Sequence, residues 1–295
     1  MMKQAVNRLL DSVVKRRRRG AFAFFAMARR VMWAYNNEDV NIATNGERWL
    51  LRQLGRRGLV TVFDVGANVG DWVREVLDHS PTATVYCYEA IPSTFALLTA
   101  AVVDPRAHLR NRALSDKPGT LDFNASALTA VSSVYDVHKF DSSLAISKVA
   151  VSAVTGDDEC AEIGIDRIDL LKIDTEGHDL AVLSGFSAML ARGGVDIIQF
   201  EYNVFTLLAR RGLFDFYDLL EDRFFLCRLL PNGLELMAYQ RELDNFAQSN
   251  WICLRKNIVD ADLIKLLGIR LPDGDRRAVT LRSLADSPAV AKLLA

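Results

Sequence analysis

The sequence is poor in cysteine and contains no internal repeat or low-complexity segment. Its four cysteines are far apart and include no CxxC pair, so neither a zinc site nor a dense disulfide framework is expected. This cysteine usage fits a reducing compartment, and we expect a cytoplasmic protein. The four residues are Cys87, Cys160, Cys227 and Cys253.

Long apolar runs are also missing. The apolar stretch that starts at Ala21 stops after eight residues, at Arg29-Arg30, whereas a membrane-spanning helix needs about 20 apolar residues. A secretory signal peptide would need a small-residue cleavage site at the place of the two arginines. The sequence therefore predicts neither a membrane span nor a signal peptide.

Charge is nearly absent in total but unevenly distributed. The formal net charge is −1, yet residues 1–58, here called the basic head, contain 13 Lys and Arg against 4 Asp and Glu, and the remaining 237 residues contain 23 against 33. Apolar residues recur at helical spacing over 5–14 and continue over 21–33, which predicts helices. This charge pattern has two interpretations: either the head contacts an anionic partner, which is lipid, nucleic acid or the acidic remainder of the chain, or it is a helical cap whose arginines are solvated.

Aromatic residues within the basic head favour lipid over RNA. Phe22, Phe24 and Phe25 follow the basic run directly, and no recognised RNA-binding motif is present. The functional interpretation is peripheral contact of residues 1–35 with an anionic membrane at its inner surface. We expect no specific nucleic acid partner.

From residue 59 onward, short apolar strands alternate with helical segments, which is typical of an α/β domain with a mainly parallel sheet. We expect a basic helical segment over 1–58, the α/β domain over 59–258, and a C-terminal loop and helix over 259–295. The predicted strands are 59–63, 83–88, 109–114, 119–125, 168–173, 195–200, 223–230 and 251–255.

Two features at strand ends predict a cofactor site. The motif Asp64-x-Gly66-x-Asn68-x-Gly70 follows the first strand, and glycines there allow a tight turn and a close approach of a ligand. Glu89 ends the second strand, where a carboxylate accepts hydrogen bonds from ribose hydroxyls. Both lie at the carboxyl edge of the sheet, where open α/β sheets bind ligands.

The same motif argues against a nicotinamide dinucleotide. The GxGxxG fingerprint counted from Gly66 requires glycines where this chain has Asn68 and Asp71. A pyrophosphate would also meet the carboxylates of Asp64 and Asp71, whereas S-adenosylmethionine carries a ribose, a sulfonium and an amino group but no phosphate. The loop therefore favours S-adenosylmethionine.

The sequence resembles the FkbM family of S-adenosylmethionine-dependent methyltransferases. The resemblance covers about residues 60–255, and the string from Ile168 to Gly177 is its most specific part. Departures occur at Glu159, which stands at a usually apolar position, and at His178-Asp179, where a Glu is common. The matching strings are VFDVGANVGD (62–71), YEAIP (88–92), ALSD (113–116), SS (132–133), IDLLKIDTEG (168–177) and VLSG (182–185).

The resemblance implies a Rossmann-like class I methyltransferase with a mainly parallel seven-stranded sheet and an antiparallel last strand, preceded here by the helical basic head. It also implies O-methylation of a hydroxyl on a sugar, glycolipid or natural product. A methyl group carried to nitrogen, or a scaffold role in membrane or nucleic-acid binding, are the alternatives. By position, the cofactor contacts would be Asp64, Gly66, Asn68, Gly70, Glu89 and Asp116.

Candidates for the transfer chemistry follow the two strands at 168–173 and 195–200. Asp174, Glu176, His178 and Glu201 are possible general bases for an alcohol acceptor. Alternation along the strand puts Lys172 and Asp174 on one side, so Lys172 either pairs with Asp174 or faces the substrate. Glu176 is alternatively a favourable first-turn charge, and His178 is alternatively a capping or solvated histidine.

A magnesium site is the less favoured hypothesis for the same strand ends. Asp174, Glu201 and Asn203 offer the oxygen ligands that magnesium prefers. Nothing in their spacing requires a metal, and we predict a small-molecule or glycan acceptor without one.

Overall fold

The computed structural model describes residues 2–17, 19–126 and 129–283. Met1, Arg18 and the last part of the predicted C-terminal helix, residues 284–295, lie outside the described residues. The helices are α1 (Met2–Leu10), α2 (Ala21–Asn36), α3 (Glu47–Arg57), α4 (Asp71–His79), α5 (Pro92–Ala101), α6 (Gly156–Ile163), α7 (Asp179–Ser184), α8 (Ser187–Ala191), α9 (Val204–Leu208), α10 (Leu213–Leu220), α11 (Ala261–Leu266) and α12 (Asp275–Ser283).

Strands form one large and one small sheet in the described part of the chain. The large sheet has the order β12-β10-β9-β11-β8-β7-β1-β2-β3, and the small one β4-β6-β5. The strands are β1 (Thr61–Val65), β2 (Thr84–Tyr88), β3 (Ala107–Arg110), β4 (Ala113–Ser115), β5 (Gly119–Ser126), β6 (Ile146–Thr155), β7 (Ile168–Ile173), β8 (Val195–Tyr202), β9 (Phe224–Leu230), β10 (Gly233–Leu236), β11 (Ser249–Arg255) and β12 (Ile269–Arg270).

Strand direction confirms the predicted α/β class. Strands β3, β2, β1, β7 and β8 are parallel neighbours, while β11 runs antiparallel to both β8 and β9. The last of the seven predicted core strands is therefore the antiparallel one. The sheet then extends beyond these seven through β10, which pairs with β9, and β12.

The predicted third strand, 109–114, is wrong in its extent. The chain leaves the large sheet after Arg110 and enters the small sheet at Ala113. The expected strand over 119–125 is present as β5, but its partner β6 was not predicted. The small sheet stands beside the ends of β1 and β7, where it contributes to the functional site.

The core lies on both faces of the large sheet. Alternate strand residues point to opposite faces, so Val62 and Leu170 belong to one apolar cluster and Phe63 and Leu171 to the other. Helices α3 and α4 cover the first face, and α7 and α10 cover the second. This burial fixes the register of β1 against β7 and thereby the positions of the residues that follow each strand.

Helix α2 of the basic head is attached to the rest of the protein at its C-terminal end. The side-chain amide of Asn37 donates to the carbonyl oxygens of Asn45, at 2.7 Å, and Leu229, at 3.1 Å. Arg228 Nη1 donates to Asn36 Oδ1 at 3.2 Å. None of the helices in the described segments is both long and apolar enough to cross a bilayer.

Candidate active site

A cavity opens at the carboxyl ends of β1, β2 and β7. Polar groups from the predicted site meet apolar side chains from β4, β5 and the start of α5. Among its lining residues are Gly66, Asn68, Glu89, Ile91, Leu114, Phe123, Asp174, Glu176 and His178.

Glycine is required in the first loop by contacts within the protein. Gly66 has φ +86°, and a Cβ there would lie 1.9 Å from the backbone oxygen of Asp174. Gly70 also has φ +86°, and its Cβ would meet Val102 and Leu98. The predicted tight turn is confirmed, and the missing Cβ atoms also make room for Asp174 and α5.

Glu89 and Asn68 face each other across this loop. Glu89 is buried, and its carboxylate accepts hydrogen bonds from the backbone N–H groups of Asn68, at 3.0 Å, and Ile91, at 2.9 Å. Burial raises the pKa of Glu89, and these hydrogen bonds oppose the rise. Asn68 Oδ1 is buried without a hydrogen-bond partner among the described residues. The loop therefore offers acceptor oxygens to a ligand.

Beneath the cavity lies a buried ionic network centred on Lys172. Its Nζ is 3.2 Å from Asp174 Oδ2 and 3.4 Å from Asp64 Oδ1, and it lies 5.6 Å from the centre of the Trp72 ring. Burial by itself lowers the pKa of Lys172, but Asp174, Asp64 and Glu47 together hold it above the ordinary value. The predicted Lys172–Asp174 pair is confirmed, and Lys172 stays charged.

Glu47 is a member of this network that the sequence analysis did not identify. Its carboxylate accepts hydrogen bonds from Asn45 Nδ2 at 2.7 Å and from Gln199 Nε2 at 2.6 Å. Burial raises its pKa and the charge of Lys172 opposes the rise. The local signal is the segment Asn45-Gly46-Glu47, whose residue types are typical of a turn. The basic head thus contributes a carboxylate beneath the cavity.

Three carboxylates come together beside the cavity. One oxygen each of Asp174, Glu176 and Glu201 lies within 4.8 Å of the others. Burial and mutual repulsion raise the pKa of both Glu176 and Glu201 well above the ordinary value. Glu201 accepts hydrogen bonds from the side chains of Gln248 and Asn203. These three, called the acidic trio below, have the ligand chemistry of a cation site and of a proton acceptor.

Backbone strain positions Glu176. This residue has φ +51° and is followed by Gly177 at φ +97°, a conformation that costs a non-glycine residue free energy. The buried hydroxyl of Ser133 donates to the Glu176 carbonyl oxygen at 2.7 Å and stabilises the turn. The Ser132-Ser133 string therefore connects the small sheet to the acidic trio.

Asp179, at the start of α7, supports this turn, and its protonation makes the stability of the fold depend on pH. Its Oδ2 accepts from Thr175 Oγ1 and from Gly177 N, both at 3.2 Å. Burial, and then the charge of Asp174, raise the pKa of Asp179 from 3.8 to about 7. The folded protein therefore holds this proton to a higher pH than the unfolded chain does, and folding stability falls as pH rises between these two values.

Substitution Asp179→Asn is expected to remove this pH dependence while keeping an acceptor oxygen. As the pH rises from 3.8 to about 7, the free energy of unfolding of the wild type should fall relative to that of the variant, by an amount on the order of a few kcal/mol. Urea unfolding across this range measures the difference, with the exposed Asp218→Asn as the control. Parallel profiles for Asp179→Asn and wild type would refute the assignment.

His178 lies beside the small sheet. Its Nε2 is 2.9 Å from Ser115 Oγ, and its buried Nδ1 has no hydrogen-bond partner among the described residues. Burial lowers the pKa of His178, opposed by the charge of Asp116, so the ring is neutral at pH 7. Asp116 itself is exposed and accepts from Ser115 Oγ at 3.0 Å.

The structure divides the predicted site residues into two groups. Those that line the cavity are Gly66, Asn68, Glu89, Asp174, Glu176 and His178. Those that lie beside or beneath it are Asp64, Gly70, Asp116, Lys172 and Glu201.

Arg112, which sequence reasoning missed, also lines the cavity. It is held by the fully buried Glu159, with 2.8 Å between Nη1 and Oε2. The carboxylate of Glu159, which stands at a usually apolar position, is therefore paired with a basic side chain.

Comparison with known proteins shows the family of the chain. The model of the methyltransferase FkbM domain matches residues 64–228, more than half of the chain. The chain is similar to the 2-O-methyltransferase NoeI of Sinorhizobium fredii, with 26% identity over 195 residues that cover 59% of this chain and 76% of NoeI. It is also 26% identical over 149 residues to the hexuronic acid methyltransferase AglP of Haloferax volcanii, covering 48% of this chain and just over half, 56%, of AglP.

Solved structures show a more distant similarity. An O-methyltransferase from Bacillus cereus in complex with SAH is 12% identical, with 86% of this chain and 100% of that chain covered and a TM-score of 0.41. The family assignment depends instead on the matched domain, which contains the first loop, Glu89, the Ile168 to Gly177 string and Glu201. The chain belongs to the FkbM methyltransferase family.

Proposed function

We propose that this protein transfers a methyl group from S-adenosylmethionine to a hydroxyl group of a sugar or sugar-bearing molecule. The observation that carries the proposal is the cavity that joins the Glu89 loop to the acidic trio at one edge of the sheet. One relative is named as a 2-O-methyltransferase and another as a hexuronic acid methyltransferase. These names support an oxygen acceptor on a carbohydrate.

The residues present fit S-adenosylmethionine. Glu89 provides a carboxylate suited to ribose hydroxyls, and the unpartnered Asn68 Oδ1 suits a donor such as an ammonium group. Ile91, Leu114 and Phe123 give apolar walls that suit a base ring. When bound, S-adenosylmethionine supplies an electrophilic methyl group.

The acidic trio is the proposed proton acceptor. An alcohol loses its proton when its oxygen is methylated, and a base whose pKa lies near the working pH serves best. Three carboxylates this close do not all ionise readily, so Glu176 and Glu201 are tuned upward from their ordinary pKa values. Lys172 fixes the carboxylate of Asp174 from below, which leaves the two glutamates to accept the proton.

The proposal is tested with methyl-labelled S-adenosylmethionine and a panel of free hexoses, hexuronic acids and their glycosides, with an amine-bearing sugar included. We expect label in an alkali-stable methyl ether. An alkali-labile product would be a methyl ester on a carboxylate, and label on nitrogen would indicate an N-methyltransferase; either result would contradict the proposed hydroxyl acceptor.

Variants of the trio separate catalysis from cofactor binding. With the acceptor that the panel identifies, Glu176→Gln or Glu201→Gln should slow transfer by about 10²–10⁴-fold, while the dissociation constant for S-adenosylmethionine changes little. His178→Asn is the comparison variant, and an equal loss of transfer rate in this variant would assign the base role to His178. Treatment with a chelator should leave the rate unchanged, whereas a requirement for Mg²⁺ would assign the trio to a metal instead.

A further inference from the structure

The N-terminal part of the basic head exposes more apolar surface than a solvated helix does. Among the 16 residues of α2, Ala21 is the one that is buried. Phe22 is 79% exposed, Val31 62% and Trp33 41%. Monomeric proteins rarely expose large apolar patches to water. Where such patches occur, they mark a site of interaction with protein, membrane or ligand.

The apolar side chains surround α2 instead of forming one stripe. Phe24, Met27 and Val31 lie on one side at helical spacing, whereas Phe25 and Trp33 lie on another. A helix with exposed apolar side chains on more than one side normally lies against protein or lipid. At about 1.5 Å per residue, α2 is roughly 24 Å long and shorter than a bilayer core of about 30 Å, so it suits the interfacial layer.

A basic turn precedes α2 directly. A short π-helical segment, Asp11–Lys15, contacts α2, and the backbone between them is left-handed at Arg17 and Gly20. Arg16, Arg17 and Arg19 are exposed in this turn. The sequence of residues 1–36 contains nine Lys and Arg against one acidic residue.

Arginine also occurs within the aromatic surface. The guanidinium of Arg29 lies 4.7 Å from the centre of the Trp33 ring and 5.8 Å from that of Phe25. Cationic side chains over aromatic rings, next to exposed apolar residues, are suited to the boundary between headgroups and acyl chains. A second copy of this segment carries the same positive charge and does not complement it, whereas an anionic surface does.

We propose that the basic turn and α2 form a docking surface for an anionic phospholipid bilayer. The arginines of the turn contact lipid phosphates, and Phe22, Phe24 and Phe25 enter the interfacial layer. The surface is anchored to the body at the C-terminal end of α2 through the contacts of Asn36 with Arg228 and of Asn37 with Leu229, so its N-terminal end is free to approach a membrane. This inference is independent of the proposed methyl transfer.

Sedimentation of the full chain with vesicles tests the proposal. We expect binding to vesicles of mixed phosphatidylcholine and phosphatidylglycerol that is roughly ten- to hundredfold tighter than binding to phosphatidylcholine alone, and weaker at high salt. The charge variant is Arg16→Gln with Arg17→Gln and Arg19→Gln, and the apolar variant is Phe22→Ser with Phe25→Ser. Each should bind anionic vesicles at least about tenfold more weakly than wild type.

Matched controls use exposed residues of the body. Arg192→Gln with Arg241→Gln and Arg277→Gln controls for charge, and Leu97→Ser with Val103→Ser controls for apolar surface; both should bind like wild type. Circular dichroism confirms that each variant is folded. The proposal is overturned by the absence of vesicle binding, by binding that the two head variants leave unchanged, by tighter binding to single-stranded RNA than to vesicles, or by a dimer that the head variants dissociate without any vesicle binding.

Discussion

Replacing Lys172 with methionine is expected to lower the free energy of unfolding by about 3–5 kcal/mol, because loss of one partner of a buried ion pair leaves the other charge uncompensated. Asp64 is fully buried, 3.4 Å from Lys172 Nζ, and neither of its oxygens has a hydrogen-bond partner among the described residues. Glu47 and Asp174 would lose the same cation. Chemical denaturation of the variant and wild type measures the change.

The double variant Lys172→Met with Asp64→Asn distinguishes charge from packing. Removal of both charges should recover part of the lost stability, since an uncharged side chain costs less to bury than a carboxylate. The exposed Lys148→Met is the matched control and should unfold like wild type. A Lys172→Met loss below about 1 kcal/mol, the size of a surface ion pair, would show that the network is not the buried cluster described above.

Substitution Glu89→Ala is expected to weaken S-adenosylmethionine binding about a hundredfold. Hydrogen bonds to a charged group contribute about 1.5–3 kcal/mol each, and loss of two of them at the lower value corresponds to roughly 3 kcal/mol, or two powers of ten. The backbone N–H groups of Asn68 and Ile91 would also lose their acceptor. Calorimetric titration gives the dissociation constants.

Two further variants make this result specific. Glu89→Gln retains one acceptor oxygen and should fall between Glu89→Ala and wild type, while the exposed Glu221→Ala should leave binding unchanged. Equal dissociation constants for Glu89→Ala and wild type would remove Glu89 from the cofactor site and would leave its role as a loop-fixing carboxylate.

The main strands were predictable because burial on both faces produces continuous apolar runs. β7 and β8 are of this kind, and each ends where the chemistry-bearing residues begin. β6 was missed because it mixes exposed polar residues such as Ser147 and Lys148 with few buried ones. The predicted strand 109–114 was wrong because Asn111 and Arg112 lie between two sheets, and local apolar pattern carries no information on which sheet a strand joins.

The site was predictable where short-range spacing determines contacts. Lys172 and Asp174 are two residues apart, so strand alternation placed them on one side and made their ion pair one of the two alternatives, and the structure shows this pair. Glu47 was not predictable, because its partner Gln199 lies 152 residues away and Asn-Gly-Glu has the local signature of a turn. The raised pKa of Glu201 likewise depends on burial and on Asp174, which only the folded chain brings together.

Titration calorimetry of the full chain with S-adenosylmethionine, run in parallel with NAD⁺, tests the central claim most directly. A pocket built from Glu89, Asn68 and neighbouring carboxylates should bind S-adenosylmethionine with one site per chain and should not bind the phosphate-bearing dinucleotide. Absence of heat with S-adenosylmethionine from correctly folded protein, or tighter binding of NAD⁺, would contradict the account.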